Sequence, residues 1–256
     1  MENRNMLQEF SIELALTAGK ILKDNFRTPL KTRHKDPTDI VTHIDELAEK
    51  SIIERIKKTY PGHGILAEET GQHNMKSDYQ WIIDPLDGTA NYAMEIPCFC
   101  TSIALAHKKE IILGTVYNPL SEELFTATKD SAPTLNGRPI SVSGTMTLKD
   151  ARVTFARSKR EDMATKTALA SKLLHAHTFR LYGATALDMA NIATGRTDAH
   201  VAFCQMPWDY AASQLILKNA GGNTTDFKGN PLEMKPADIL ATNTKLHKEL
   251  LGITKQ

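Results

Sequence analysis

Asp84 and Asp87 stand three positions apart in Trp81-Ile82-Ile83-Asp84-Pro85-Leu86-Asp87-Gly88-Thr89. The apolar run reads as a strand that delivers Asp84 to its end, with Asp87 following after a turn. Two carboxylates so close repel each other unless a cation joins them. Hard divalent ions such as Mg2+ prefer carboxylate oxygen and water. Gly88 lets backbone N–H groups approach an anion, and a helix starting near Thr89 would add its positive end. Cation and phosphate chemistry side by side is the reading that this string favours over a plain Asp-Pro and Asp-Gly turn.

Three further acidic sites could join it. Glu68-Glu69 follows Ile65-Leu66-Ala67 at a second strand end, where a solvated acidic loop is the alternative. Asp45 lies three residues after Thr42, and T-x-x-D is equally a helix capping box. Asp209, in Met206-Pro207-Trp208-Asp209, opens a helix whose dipole would by itself favour a carboxylate. Spacing alone does not assemble these groups.

The elements that must position them are legible in part. Leu7, Phe10, Leu14, Ala18, Ile21 and Leu22 give one apolar face to an N-terminal helix. A second helix runs from near Thr42 to the stop at Pro61-Gly62. Strands are expected at 64–67, 80–83, 99–107, 111–117 and 123–128, with a tight turn at Asn136-Gly137. Beyond these the chain alternates: a strand near 152–156, a helix near 163–174, a strand near 178–181, then helices at about 184–194 and 208–220 closed by Gly195 and Gly221. Antiparallel sheet in the first half and alternating elements in the second indicate α+β layers. A single domain over 1–256 is expected, with an N-terminal half to about 145 and a C-terminal half from about 146.

Composition narrows the function classes. The 256 residues carry 31 Lys plus Arg against 30 Asp plus Glu, a net charge of +1, which argues against a nucleic-acid footprint. With 41% hydrophobic and 24% charged residues the chain is an ordinary globular sequence rather than a disordered one. No stretch approaches the ~20 apolar residues of a membrane span, and the first residues lack the apolar core of a signal peptide. Cys98, Cys100 and Cys204 are too few for a disulfide framework. Together these point to a cytoplasmic chain. P-loop, dinucleotide, H-E-x-x-H and G-x-S-x-G signatures are all absent. A metal, if held, is held by oxygen.

The string of residues 84–89, preceded by Ala67-Glu68-Glu69 and followed by Pro207-Trp208-Asp209-Tyr210-Ala211-Ala212, resembles the inositol monophosphatase family of Mg2+-dependent, Li+-sensitive phosphatases. Residues 35–45, Gly183-Ala184-Thr185-Ala186 and residues 193–199 are similar to further motifs of that family, in order along nearly the whole chain. The resemblance implies an α-β-α-β-α layered sandwich, a homodimer, two to three Mg2+ ions (Mn2+ as a substitute) and in-line hydrolysis of a small phosphorylated metabolite. Carried over by position, Glu68, Asp84 and the Leu86 carbonyl hold a first ion, Asp84, Asp87 and Asp209 a second, and Glu68 with waters a weaker third. Gly88, Thr89 and Ala90 cradle phosphate, Asp45 and Thr89 orient the attacking water, and Asp87, Asp209 and the backbone near Ala184 and Thr185 meet substrate.

Two comparisons bound this resemblance. A haloacid-dehalogenase-type D-x-D-G-T string would place its nucleophilic aspartate at Pro85, which cannot form an aspartyl-phosphate. Inositol-selective members usually carry a glutamate where this chain has Ala202, so inositol preference is not implied. Fructose 1,6-bisphosphate, adenosine 3′,5′-bisphosphate, histidinol phosphate and NADP are the other substrates known in the family. His34, Arg157, Lys159, Arg160 and Arg180 are candidates for contacts to a second phosphate, with a solvated surface as the plainer reading. The rival from another class is a non-catalytic regulator on the same scaffold that binds RNA or protein.

Overall fold

A computed structural model describes residues 3–36, 39–156 and 163–255. The first half runs α1 (Arg4–Asn25), β1 (Thr32–Asp36), β2 (Asp39–Thr42), α2 (His43–Thr59), β3 (Gly64–Ala67), β4 (Gly71–His73), β5 (Tyr79–Asp87), α3 (Thr89–Ala93), β6 (Cys100–His107), β7 (Glu110–Asn118), β8 (Glu123–Thr128), β9 (Thr134–Leu135) and β10 (Arg138–Pro139). The second continues with β11 (Arg152–Ala156), α4 (Met163–Leu173), β12 (Thr178–Arg180), α5 (Thr185–Ala193), β13 (Ala199–Gln205), α6 (Pro207–Asn219), β14 (Asn223–Thr225), β15 (Ala237–Thr242) and α7 (His247–Thr254).

Strands β10-β9-β8-β7-β6-β5-β3-β4 form one sheet and β12-β11-β13-β15-β14 another, with β1 and β2 paired separately. The large sheet is antiparallel except for the parallel pair β3 and β5. The small sheet mixes the two senses.

Side-chain alternation along the strands divides the molecule into three apolar layers. On β5 and β6, Trp81, Ile83, Ile103 and Leu105 pack with α1 and α2, whereas Ile82, Cys100, Ala104 and Ala106 face α5 and α6. On the small sheet, Ala202, Ile239 and Ala241 face the same two helices, and Val153, Phe155, Val201, Phe203 and Leu240 pack towards α4 and α7. The order is therefore α-β-α-β-α. This explains why β5 is a continuous apolar run and not an alternating one: helices cover both its faces. It also explains why α5, buried between two sheets, is apolar on most of its surface.

Two expectations change. The strand near 80–83 extends to Asp87, and its pairing with β6 shifts register between Asp84 and Asp87. Pro85 lies in that irregularity, beyond the last β3 pair at Ala67 and Ile83, where its missing N–H breaks no ladder. The two aspartates thus flank a bulge within one strand rather than a turn beyond it. The segment after Gly221 holds β14, β15 and α7, and the stretch after α1 holds β1 and β2, all unassigned from sequence. Asn136 and Gly137 both take positive φ between β9 and β10, as a two-residue hairpin turn requires. Among the described residues no helix is long and apolar enough to cross a membrane.

The close approach of α6 to the large sheet occurs at Gly114 of β7, where an added Cβ would meet the backbone carbonyl of Ala212. Backbone cannot yield as a side chain does. Gly114→Ala is expected to lower stability by about 1–3 kcal/mol in denaturant titration; an unchanged midpoint would contradict this packing.

Candidate functional site

Parallel pairing of β3 and β5 brings their C-terminal ends to the same side of the sheet. Glu68 follows the first, with its N–H donating to the Ile83 carbonyl at 3.1 Å. Asp84 and Asp87 belong to the second. The start of α6 is tied to the neighbouring strand by the Ser102 hydroxyl, which donates to the Trp208 carbonyl at 3.2 Å. Asp209 Oδ2 accepts the Met206 N–H at 2.7 Å, so the dipole reading of this residue also holds. One cleft of about 200 Å3 is lined by Ile40, Glu68, Asp84, Leu86, Asp87, Gly88, Thr89, Ala90, Gly183 and Asp209.

Gly88 turns the chain out of β5 with φ 95, and a Cβ there would stand 2.9 Å from the Cys98 carbonyl. Only glycine fits this sharp exit. Thr89 then opens α3, and its hydroxyl lies 2.9 Å from Asp45 Oδ1 and 3.0 Å from the Leu86 carbonyl. Asp45 is also a capping residue: its Oδ2 accepts the Thr42 N–H at 3.0 Å and the Thr42 hydroxyl at 2.5 Å. The capping reading of the T-x-x-D string therefore holds on one carboxylate oxygen, and the other oxygen meets Thr89 at the cleft.

Burial pushes the Asp45 carboxyl up to about 6, with the Thr42 and Thr89 hydrogen bonds opposing it. Asp84, 2% exposed, is held well above the usual carboxylate range by burial and then by the charges of Glu68, Asp87 and Asp209. The side chain of Glu68 beside it acts in the same direction. Burial pushes Asp87 up to about 7, partly offset by backbone N–H donors at the start of α5.

Ala184 and Thr185 do not reach the cleft among the described residues. Both are buried, and the Thr185 and Ala186 N–H groups donate to Asp87 at 3.2 and 2.7 Å. Here α5 clasps Asp87, and Gly183 and Ile40 line the wall of the cleft. Ala202 is fully buried within β13. Arg180 is exposed and its guanidinium donates to the Phe179 carbonyl. Arg157, Lys159 and Arg160 and the side chain of His34 lie outside the described residues.

Two supporting residues carried no expectation. Asn91 Nδ2 donates to the Cys98 and Tyr182 carbonyls at 2.8 and 2.6 Å, joining the loops on either side of Gly183 and Gly88. Glu49, fully buried on α2, accepts the Glu69 and Thr70 N–H groups, both at 2.8 Å. The signal for Glu49 was its place four residues after Asp45, on the same helix face.

Among the described residues no three acidic, histidine or cysteine side chains close on one point ready to hold a metal ion. The donor chemistry nevertheless fits a hard divalent cation. Oxygen donors alone converge on one cleft, and the crowding of carboxyl groups that raises Asp84 is the kind a cation would relieve.

A sequence model of the inositol monophosphatase family matches residues 3–256. The Nus factor SuhB of Salmonella typhimurium is 36% identical over 248 residues, spanning 94% of this chain and 93% of that protein. The fructose-1,6-bisphosphatase/inositol-1-monophosphatase of Aquifex aeolicus is 35% identical over 261 residues, spanning 100% of this chain and 98% of its own. The crystal structure of extragenic suppressor protein SuhB from Bartonella henselae superposes with a TM-score of 0.94 at 32% identity, covering 98% of this chain and 99% of that one.

The raised carboxyls set a pH dependence. Between the unfolded value near 4 and the folded values of about 6 for Asp45 and about 7 for Asp87, the native state binds more protons than the unfolded one. Stability contributed by these groups therefore falls as pH rises through that window. In metal-free protein at about pH 8, Asp84→Asn is expected to raise the melting temperature, by roughly 5 °C. Millimolar Mg2+ should stabilise the parent chain more than this variant. A variant that melts lower than the parent without metal would contradict the electrostatic reading.

Proposed function

The chain belongs to the inositol monophosphatase family, and on that premise we propose that it is a Mg2+-dependent phosphomonoester hydrolase. Its substrate is a small phosphorylated polyol or sugar, attacked in line by water. The observation that carries this reading is the convergence of Glu68 after β3, Asp84 and Asp87 of β5, and Asp209 of α6 on one cleft beside residues 88–90.

The family is metal-dependent, and here Glu68, Asp84, the Leu86 carbonyl, Asp87 and Asp209 would hold the ions. When bound, Mg2+ polarises a phosphoryl oxygen and makes water more acidic. The remaining work falls to the chain. At neutral pH Asp45 is predominantly ionised and accepts the Thr89 hydroxyl proton, which leaves the Thr89 oxygen lone pairs to accept from a water. That fixes the water's own lone pair in one direction, towards a phosphorus seated against Gly88, Thr89 and Ala90. Clasped by α5, Asp87 keeps its carboxylate from swinging into the substrate space. Fixed donors and charges of this kind act without reorganising during the reaction.

The buried Ala202 offers no acceptor to a sugar hydroxyl, which supports a substrate other than inositol phosphate. Fructose 1,6-bisphosphate is one alternative, given the activity named for the Aquifex relative. A second reading, a non-catalytic regulator on the same scaffold, is favoured by the Nus factor name of the Salmonella relative; retention of all the acidic groups speaks against it. We take the chain to act as one domain, since α5 and α6 share a core with both sheets. Family membership also supports a Li+-sensitive homodimer.

Phosphate release from a panel of phosphomonoesters, with and without Mg2+, tests the proposal. Turnover of at least one member only when Mg2+ is present is expected, with a loss of orders of magnitude in Asp87→Asn while its circular dichroism is unchanged. A folded chain active on none would favour the regulator.

A further inference from the structure

Helix α2 presents buried acidic side chains one turn apart, Asp45 and Glu49. Residues four apart share a helix face. Asp45 reaches the Thr89 hydroxyl on one side of the cleft. Glu49 reaches the segment that carries Glu68 on the other. Its Oε2 accepts the Glu69 N–H and its Oε1 the Thr70 N–H, both at 2.8 Å.

A carboxylate that is 0% exposed tolerates burial because strong donors replace its water. The backbone that supplies those donors is leaving the sheet. The Glu68 N–H still bonds to Ile83 of β5, as β3 residues pair before it. From Glu69 onward that support ends, and Glu49 takes it over. Glu68 is thus clamped on its N-terminal side by β5 and on its C-terminal side by α2.

We propose that Glu49 is a positioning residue for the cation site: by gripping the Glu69 and Thr70 backbone it fixes where the Glu68 carboxylate stands against Asp84. The inference rests on the hydrolase reading above, but its reach is narrower. Glu49 does not line the cleft among the described residues, and the cradle at residues 88–90 depends on β5 and α3. Loss of the clamp therefore weakens the hold on the cation and spares the hold on substrate. A carboxylate suits the task because both oxygens accept. Glutamine keeps the volume yet turns an NH2 group against one of the two backbone donors.

The test uses the full chain and its Glu49→Gln and Glu49→Ala variants. Free Mn2+ is followed by electron paramagnetic resonance during titration, beside the Mg2+ dependence and substrate KM of hydrolysis. Glu49→Gln should fold, bind Mn2+ roughly 10–100-fold more weakly and need correspondingly more Mg2+ for half-maximal turnover. Its KM at saturating Mg2+ should stay within about twofold of the parent. Glu49→Ala should lose more; if it does not fold, Glu49→Gln decides alone. A Glu49→Gln chain that melts lower but binds Mn2+ as tightly as the parent would reduce Glu49 to a structural residue and overturn the inference. A parent chain that binds Mn2+ but hydrolyses nothing would remove the hydrolase reading, with the clamp still judged on the Mn2+ titration. A parent chain that binds no Mn2+ would overturn both.

Discussion

Repulsion among buried carboxylates is the constraint on which the rest of the structure depends. Asp84, itself almost wholly buried, stands against the charges of Glu68, Asp87 and Asp209. A fold that sought only stability would not assemble such a cluster, since a buried charge without a partner is among the most destabilising features a protein can hold. The arrangement makes sense where a cation completes it. Much of the surrounding architecture serves to hold these groups together against their own field: α5 donates backbone N–H groups to Asp87, the Leu86 N–H donates to Asp84, and the Met206 N–H donates to Asp209.

The layered fold supplies the rigidity this requires. The cleft draws on the ends of two parallel strands and the first turns of α3 and α6. Those helices are held by apolar faces that the strand alternation generates on both sides of each sheet. Local chemistry then refines the placement. Gly88 permits the exit from β5, Pro85 sits at the bulge that turns Asp84 and Asp87 about one strand, and Gly114 lets α6 approach closely enough to bring Asp209 in.

What could be read from the sequence follows from how local each signal is. The amphipathic pattern of α1, the capped start of α2, the Asn136-Gly137 turn and the β5 string are all written within a few residues, and the structure has each of them. The acidic residues were recognisable as candidates for the same reason. Their meeting was implied by the family resemblance and not by spacing, because it depends on β3 and β5 pairing in parallel and on α6 packing across the large sheet. The clasp on Asp87 was illegible too, because backbone donors leave no trace in residue type. Short strands such as β1, β4 and β14 have too few residues for a period to show, and β15 and α7 lie in a stretch without a motif to draw attention.

Carboxyls raised by burial and by one another's charge, and relieved by a cation, have a direct calorimetric signature. Ligands of a metal must give up their protons to bind it, so association releases protons that the buffer takes up. Titrating Mg2+ into the metal-free chain near neutral pH, in buffers of different ionisation enthalpy, counts them. Saturable binding with net proton release is expected, with less release in Asp84→Asn. Binding without proton release, or no binding at millimolar Mg2+, would contradict it.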